Sequence, residues 1–239
     1  MLLFRELFRT ITDLIYPHFC VICHTGLEDE WLCTECQATA QRIQPPFCHT
    51  CSRPFFGTIS EPFRCPHCED NAFAFDCAVS PYLARGAVRE LIHRLKYAGQ
   101  FHLRTTIANW LWAAFSDPRI AAEPFDAIVP VPLHPVRTRE RGYDQVSALA
   151  EIVARRANKP LLKCLRRHRY TQTQTVLDRD TRARNLHNAF DLRKSTAVLG
   201  KRILLLDDVL TTGSTLNECA KVLRSGGAVS VRAITVARG

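Results

Sequence analysis

No apolar run in the 239 residues approaches the roughly 20 needed to span a bilayer, so no transmembrane segment is expected. Low-complexity tracts are missing as well. With 46% of residues hydrophobic and 23% charged, the composition is that of a folded soluble protein, long enough for one ordinary domain and a small one. The opening MLLFRELFRTITDLIYP lacks the uninterrupted apolar stretch of a secretory signal, because Arg5, Glu6, Arg9 and Asp13 break it. Leu3, Leu7, Phe8, Ile11, Leu14 and Ile15 recur there at helical spacing, so residues 1–17 are expected to form an amphipathic helix that docks on a partner or a membrane surface. Without an export signal a cytoplasmic location is expected, and thiols there stay reduced.

Cysteine, by contrast, is abundant and ordered. Cys20/Cys23, Cys33/Cys36, Cys48/Cys51 and Cys65/Cys68 are four Cys-x-x-Cys knuckles, each able to place two thiolates on one turn. Two knuckles complete a tetrahedral site with Zn–S bonds of about 2.3 Å, so residues 18–75 are expected to hold two structural zinc ions. The spacing leaves the pairing open between sequential (first with second, third with fourth) and interleaved. A segment this short and poor in apolar residues needs such staples to fold, and its core is expected to be separate from that of the residues after it. With eight thiols available, His18, His24, His49 and His67 read as turn or surface residues. Cys77, Cys164 and Cys219 stand alone in apolar surroundings and read as core.

The stretch ILLLDDVLTTGST, Ile203 to Thr215, joins a continuous apolar strand to two acids and then to five small residues. Such a strand suits the covered centre of a parallel sheet, and Asp207 and Asp208 would lie at its carboxyl end, where open α/β sheets bind ligands. Thr211, Thr212, Gly213, Ser214 and Thr215 let backbone N–H groups approach an anion, and a helical pattern from Leu216 places them at a helix N-terminus. The loop wants phosphate; the acids want hydroxyls or a hydrated metal. A P-loop is excluded, since no lysine follows the glycine.

From about residue 76 to 239, helical patterns (Ala87–Tyr97, Thr106–Phe115, Tyr143–Arg156) alternate with strand patterns (Ala127–Val131, Leu161–Leu165, Ala189–Leu192, Ile203–Leu206, Val229–Val236). Alternation predicts a parallel sheet flanked by helices. Positive charge is concentrated: Arg137 to Lys194 holds fifteen Lys or Arg against six Asp or Glu, which equals the whole excess of +9. Such a patch suits a polyanion. It spans two polar loops, VPVPLHPVRTRERGYDQ from Val129 and RRHRYTQTQTVLDRDTRARNLHNAF from Arg166.

These residues resemble two known groups. ILLLDDVLTTGST is similar to the phosphoribosyl pyrophosphate (PRPP) motif of type I phosphoribosyltransferases. The knuckles, LIHRLKYAGQ, PVPLHPVRTRERGYDQ, TQTQTVLDRDTRARNLHNAF and DDVLTTGST, in this order, resemble the ComF family of competence and DNA-utilisation proteins over nearly the whole chain. The resemblance implies an α/β, type I phosphoribosyltransferase fold with a small N-terminal zinc-ribbon module whose sites are each built from four cysteines. It implies that Asp207 and Asp208 hold the ribose hydroxyls and Thr211 to Thr215 the 5′-phosphate. Arg137, Arg139, Arg141, Arg182 and Arg184 would take the departing pyrophosphate, with Mg²⁺ arriving on PRPP and the second loop closing over it. Purine-base members usually carry Asp where Thr211 stands, which argues against purine salvage; the ComF family usually has Asn where Asp144 stands. Two functions stay open at this stage. One is phosphoribosyl transfer to an unidentified acceptor in the uptake or use of external DNA. The other is a non-catalytic, PRPP-regulated module for single-stranded DNA or for competence-machinery proteins, with Phe55, Phe56, Tyr143 or Tyr170 as stacking groups.

Overall fold

A computed structural model describes residues 18–28, 30–57, 59, 62–169, 188–193 and 198–239. The expected N-terminal helix, Tyr170, Arg182 and Arg184 lie outside them. The described residues start with a hairpin of β1 (His18–Phe19) and β2 (Gly26–Leu27), then two one-turn helices, α1 (Thr34–Ala38) and α2 (Pro66–Glu69). Strands β3 (Ala78–Val79) and β4 (Tyr82–Leu83) follow, then helices α3 (Gly86–Tyr97), α4 (Arg104–Trp112) and α5 (Pro118–Ala121). The rest is β5 (Ala127–Pro130), α6 (Pro135–Arg141), α7 (Gln145–Ala157), β6 (Leu165–Arg167), β7 (Phe190–Leu192), β8 (Arg202–Leu210), α8 (Ser214–Ser225) and β9 (Ser230–Arg238).

The centre is a parallel sheet in the order β3, β9, β8, β5, with β4 continuing along the β3 edge of β9. Ile203 to Leu206 are fully buried, as a strand covered on both faces requires. Pairing with β9 runs on from Arg202↔Ser230 to Leu210↔Arg238, so β8 extends four residues past the apolar run and carries both acids within it. Pairing with β5 stops near Leu206, which leaves that side of the acids open to other elements.

Three expectations need correction. Leu161 to Leu165 is no strand: Leu161 makes one isolated bridge with Ile128, and only from Leu165 does the chain pair, antiparallel, with β7. The arginines after β5 are helical rather than looped. Pro135 occupies the first turn of α6, His134 Nδ1 accepts the Val136 N–H at 3.2 Å, and Gly142 ends the helix at φ +78°. Finally, the cysteine-rich segment has no core of its own. Cys20, Leu32, Cys48, Cys51, Cys65 and Cys68 belong to the same buried cluster as the sheet.

The join is polar as well as apolar. Arg119, after α5's first residue, pairs with Asp117 at 2.7 Å and donates to the His49 carbonyl (2.8 Å) and Ser52 Oγ (3.0 Å). The Ala78 N–H donates to the Thr50 carbonyl, and that of Leu83 to Gln41. Asp117 feels burial first, which raises a carboxyl, yet Arg119 overrides it and holds the group below its ordinary value. Among the described residues no helix is long and apolar enough to cross a membrane.

Candidate functional site

The eight knuckle cysteines converge in sequence order. The sulfurs of Cys20, Cys23, Cys33 and Cys36 lie within 4.8 Å of one another, as do those of Cys48, Cys51, Cys65 and Cys68, so the pairing is sequential. Each set includes a cysteine at a helix N-cap, Cys33 for α1 and Cys65 for α2. Backbone donors reach the sulfurs directly: Cys36 N–H to Cys33 Sγ at 3.4 Å, Cys65 N–H to Cys48 Sγ at 3.2 Å. The Cys51 side chain draws the Cys48 thiol down to about 4, against the opposing effect of burial. This donor set fits zinc.

At the end of the sheet, alternation of the strand sends the two acids to opposite faces. Asp208 is 6% exposed and turns toward α3 and α7, where Lys96 Nζ donates to Oδ1 at 2.6 Å and Gln145 Nε2 to Oδ2 at 3.0 Å. Asp207 turns toward α8, with Cys219 and Arg167 near it, and its Oδ1 accepts the Asp208 N–H at 2.8 Å. Burial, then the Asp208 charge, raise Asp207 well above the ordinary carboxylate range; Lys96, the Asp208 N–H and Arg167 pull it back.

Thr211 to Thr215 turn from β8 into α8 around Gly213 at φ +85°, a left-handed conformation that favours glycine. A Cβ on Gly213 would also press to 3.3 Å from the Phe73 ring. Thr212 Oγ1 and Ser214 Oγ lie 2.9 Å apart, on either side of the Gly213 N-cap of α8. The cysteine-rich segment grips this loop. His67 Nε2 is 2.9 Å from the Thr212 carbonyl, which only accepts, so Nε2 carries the proton. Asn71 Nδ2 lies 3.4 Å from His67 Nδ1, and the Ala74 N–H donates to Asn217 Oδ1 at 2.7 Å. His67 is therefore a bridge to the small-residue loop rather than a mere turn residue.

The α6 arginines separate. Arg137 pairs with Glu140 at 3.0 Å, Arg141 lies over the Tyr97 ring at 5.1 Å, and Arg139 borders a cleft of about 810 Å³. Lys163, Arg166, Arg167 and Arg193 also line that cleft, against a single acid among the described residues, Asp144. Asp144 itself caps α7, accepting the Ser147 N–H at 3.1 Å and its hydroxyl at 2.8 Å. Tyr143 is committed to the interior, its hydroxyl donating to the Leu95 carbonyl, so it is no stacking platform. Phe55 and Phe56 are 42% and 90% exposed.

Sequence reasoning missed Lys96, Gln145, His67 and Arg167 as members of the site. Lys96 lies in LIHRLKYAGQ, a stretch noticed for its resemblance and given no role. Gln145 and Arg167 lie in the two polar loops and His67 inside the last knuckle, but none had been given this role, because each acquires it only through a residue distant in the chain.

Residues 11–69 match a double zinc ribbon domain, and residues 147–239 a phosphoribosyl transferase domain. Competence protein F of Haemophilus influenzae is 32% identical over 92% of this chain and 96% of its own length. The chain belongs to the ComF family. Other members include the Escherichia coli K12 DNA utilization protein YhgH, 30% identical over 92% of this chain and 96% of its own, and Bacillus subtilis competence protein ComFC, 27% identical over 88% and 85%. In this ComF chain the parallel sheet is the phosphoribosyltransferase-type fold expected from the sequence, with the zinc-ribbon module on its N-terminal side.

Proposed function

We propose that the chain binds PRPP with Mg²⁺ at the end of its parallel sheet and acts in the uptake or use of external DNA, as its relatives' names indicate for them. The observation that carries this reading is the join of the Asp207–Asp208 pair to the Thr211–Thr215 turn at the α8 N-terminus. Loop N–H groups and hydroxyls would hold the 5′-phosphate, helped by the helix dipole. The acids would hold the ribose diol. Arg137, Arg141 and Arg182 would accept the leaving charge, in an arrangement whose work is positional and electrostatic. Mg²⁺, when bound, supplies neutralisation of the pyrophosphate charge and keeps most of its own ligands from substrate oxygens. That suits this site, since both Asp208 oxygens are engaged by Lys96 and Gln145, and among the described residues only the thiols cluster tightly enough to cage a metal. Zinc is assigned to the two thiol clusters.

Calorimetry with PRPP and Mg²⁺ tests the reading. Asp207→Asn/Asp208→Asn should weaken binding at least about tenfold, or about 1.4 kcal/mol, with the fold retained. Unchanged affinity would place the sugar elsewhere. Pyrophosphate release with candidate acceptors then separates transfer from sensing.

A second reading is favoured by the basic cleft beside α6, which suits a phosphate backbone. Single-stranded DNA would bind there weakly and in competition with PRPP and Mg²⁺. Fluorescence anisotropy at several salt concentrations, with and without PRPP, checks this. DNA binding indifferent to saturating PRPP would move the contact to the exposed Phe55–Phe56 pair of the ribbon. Absence of binding at low salt would leave phosphoribosyl chemistry or competence-machinery partners as the link to DNA. We place this work in the cytoplasm, where the thiols stay reduced.

A further inference from the structure

LIHRLKYAGQ, Leu91 to Gln100, has no part in the binding scheme above, yet the last turn of α3 presses on the acidic pair. Lys96 Nζ meets Asp208 Oδ1 at 2.6 Å, and the lysine side chain is itself only 19% exposed. With Gln145 on Oδ2, both oxygens of Asp208 are held before any sugar arrives. The turn that carries Lys96 is pinned from several directions. The Leu95 carbonyl accepts the Tyr143 hydroxyl, Tyr143 packs against Phe101 at 4.6 Å between ring centres, and Arg141 lies over Tyr97. Arg141 also keeps a buried Nη1 without a hydrogen-bond partner among the described residues. The end of α3 therefore supplies one cation to the acidic pair and supports a second from α6.

A buried carboxylate with its counter-ion removed is costly, and it repels any anion brought near it. A polyanion entering beside Asp207 and Asp208 would meet that repulsion at its sugar end unless one acid were neutralised in place. We propose that Lys96 is a positioning residue for the sugar end of the site. It orients the Asp208 carboxylate for the ribose diol and balances its charge against the incoming phosphates. The proposal rests on the PRPP reading above.

The test is calorimetry on the full chain with PRPP, ribose 5-phosphate and pyrophosphate, each with Mg²⁺. Lys96→Gln keeps a donor to Asp208 and removes the charge. It should weaken PRPP and ribose 5-phosphate roughly tenfold or more, as breaking a buried pair does, while pyrophosphate changes by less than about threefold. Lys96→Arg should recover part of the loss, only part because a planar fork replaces a point charge. Lys221→Gln, which removes one positive charge from an exposed pair with Glu218 on α8, should leave all three ligands unaffected. Should Lys96→Gln fail to fold by circular dichroism, Gln145→Leu, which removes the other anchor of Asp208, must show the same sugar-selective loss. Equal weakening of all three ligands would reduce Lys96 to a strut between α3 and the sheet and overturn the proposal. So would a loss confined to pyrophosphate, or none. A wild-type chain that binds none of the ligands would instead sink the PRPP reading itself, and the inference with it.

Discussion

The two cysteine clusters have the same ligands and the same knuckle spacing, yet they occupy different worlds. In the first, Cys20 is buried, Cys33 and Cys36 are partly covered and Cys23 is exposed; in the second, all four cysteines are buried. The first reaches the rest of the molecule through tilted ring contacts, His18 with Trp31 at 4.5 Å and Trp31 with His102 at 4.1 Å between ring centres. The second is bound by Arg119 on one side and, through His67 and Phe73, touches the Thr211–Thr215 loop on the other. Identical chemistry can thus serve as a staple at one place and as a footing for the loop of the proposed ligand site at another, and the surroundings decide which.

The largest effect expected from this contrast is on Cys68→Ser. Zinc sites of this kind contribute about 10–16 kcal/mol to folding in isolated peptides, and here the site shares its core with the sheet. The variant should hold one zinc instead of two, lose PRPP binding and unfold as a whole at lower temperature. If it kept both PRPP affinity and the native melting transition, the contrast between the clusters would collapse.

Asp117→Asn should come next. The folded value of Asp117 is depressed, so its stabilising effect is fully present above the unfolded carboxylate pKa, near 3.9, and disappears as pH falls through the folded value. A hydrogen bond to a charged group is worth about 1.5–3 kcal/mol, and a chain of this length shifts Tm by about 2–4 °C per kcal/mol. Melting curves should therefore separate variant from wild type at pH 7 and converge in strong acid; a constant gap across pH would remove the ion pair as the cause.

A smaller effect, on binding alone, is expected of His67→Ala. One hydrogen bond to the Thr212 carbonyl, about 0.5–1.5 kcal/mol, corresponds to a roughly two- to tenfold loss of PRPP affinity with both zinc ions retained. Zinc loss in this variant would mean that the imidazole supports the cluster rather than the loop. Smallest at the anion site should be Cys23→Ser, which removes the zinc of the exposed cluster. Its PRPP affinity should stay within about twofold, below about 0.5 kcal/mol. A chelator should likewise strip that cluster first, as followed by a colorimetric zinc indicator.

Much of this was legible in the sequence, for identifiable reasons. The knuckles are local in the chain, and Ile203 to Thr215 compresses strand, acids and loop into thirteen residues, so both could be read directly. Helix α6 was missed although Pro135 and Gly142 mark its two ends, because PVRTRER has no apolar periodicity to suggest a buried face. Zinc pairing, and the partners of Asp208, depend on approach across the fold. Lys96 stands 112 residues from the acid it meets, and no window of sequence contains both. The expectation of separate cores failed because the segment's apolar side chains, too few to form a core alone, join that of the sheet.

The contact between His67 and Thr212 also spans time. The two residues are separated by 145 positions, and at about 5–20 residues per second the ribosome needs roughly 7–30 s to deliver the second after the first. Late in that interval all eight thiols have emerged from the ribosome, while β9 and the loop that will cover the second cluster do not yet exist. Metal capture by the knuckles can therefore precede the surface against which they finally rest, and a cell short of zinc at that moment would face an exposed set of reactive thiols long before it faced a missing ligand site.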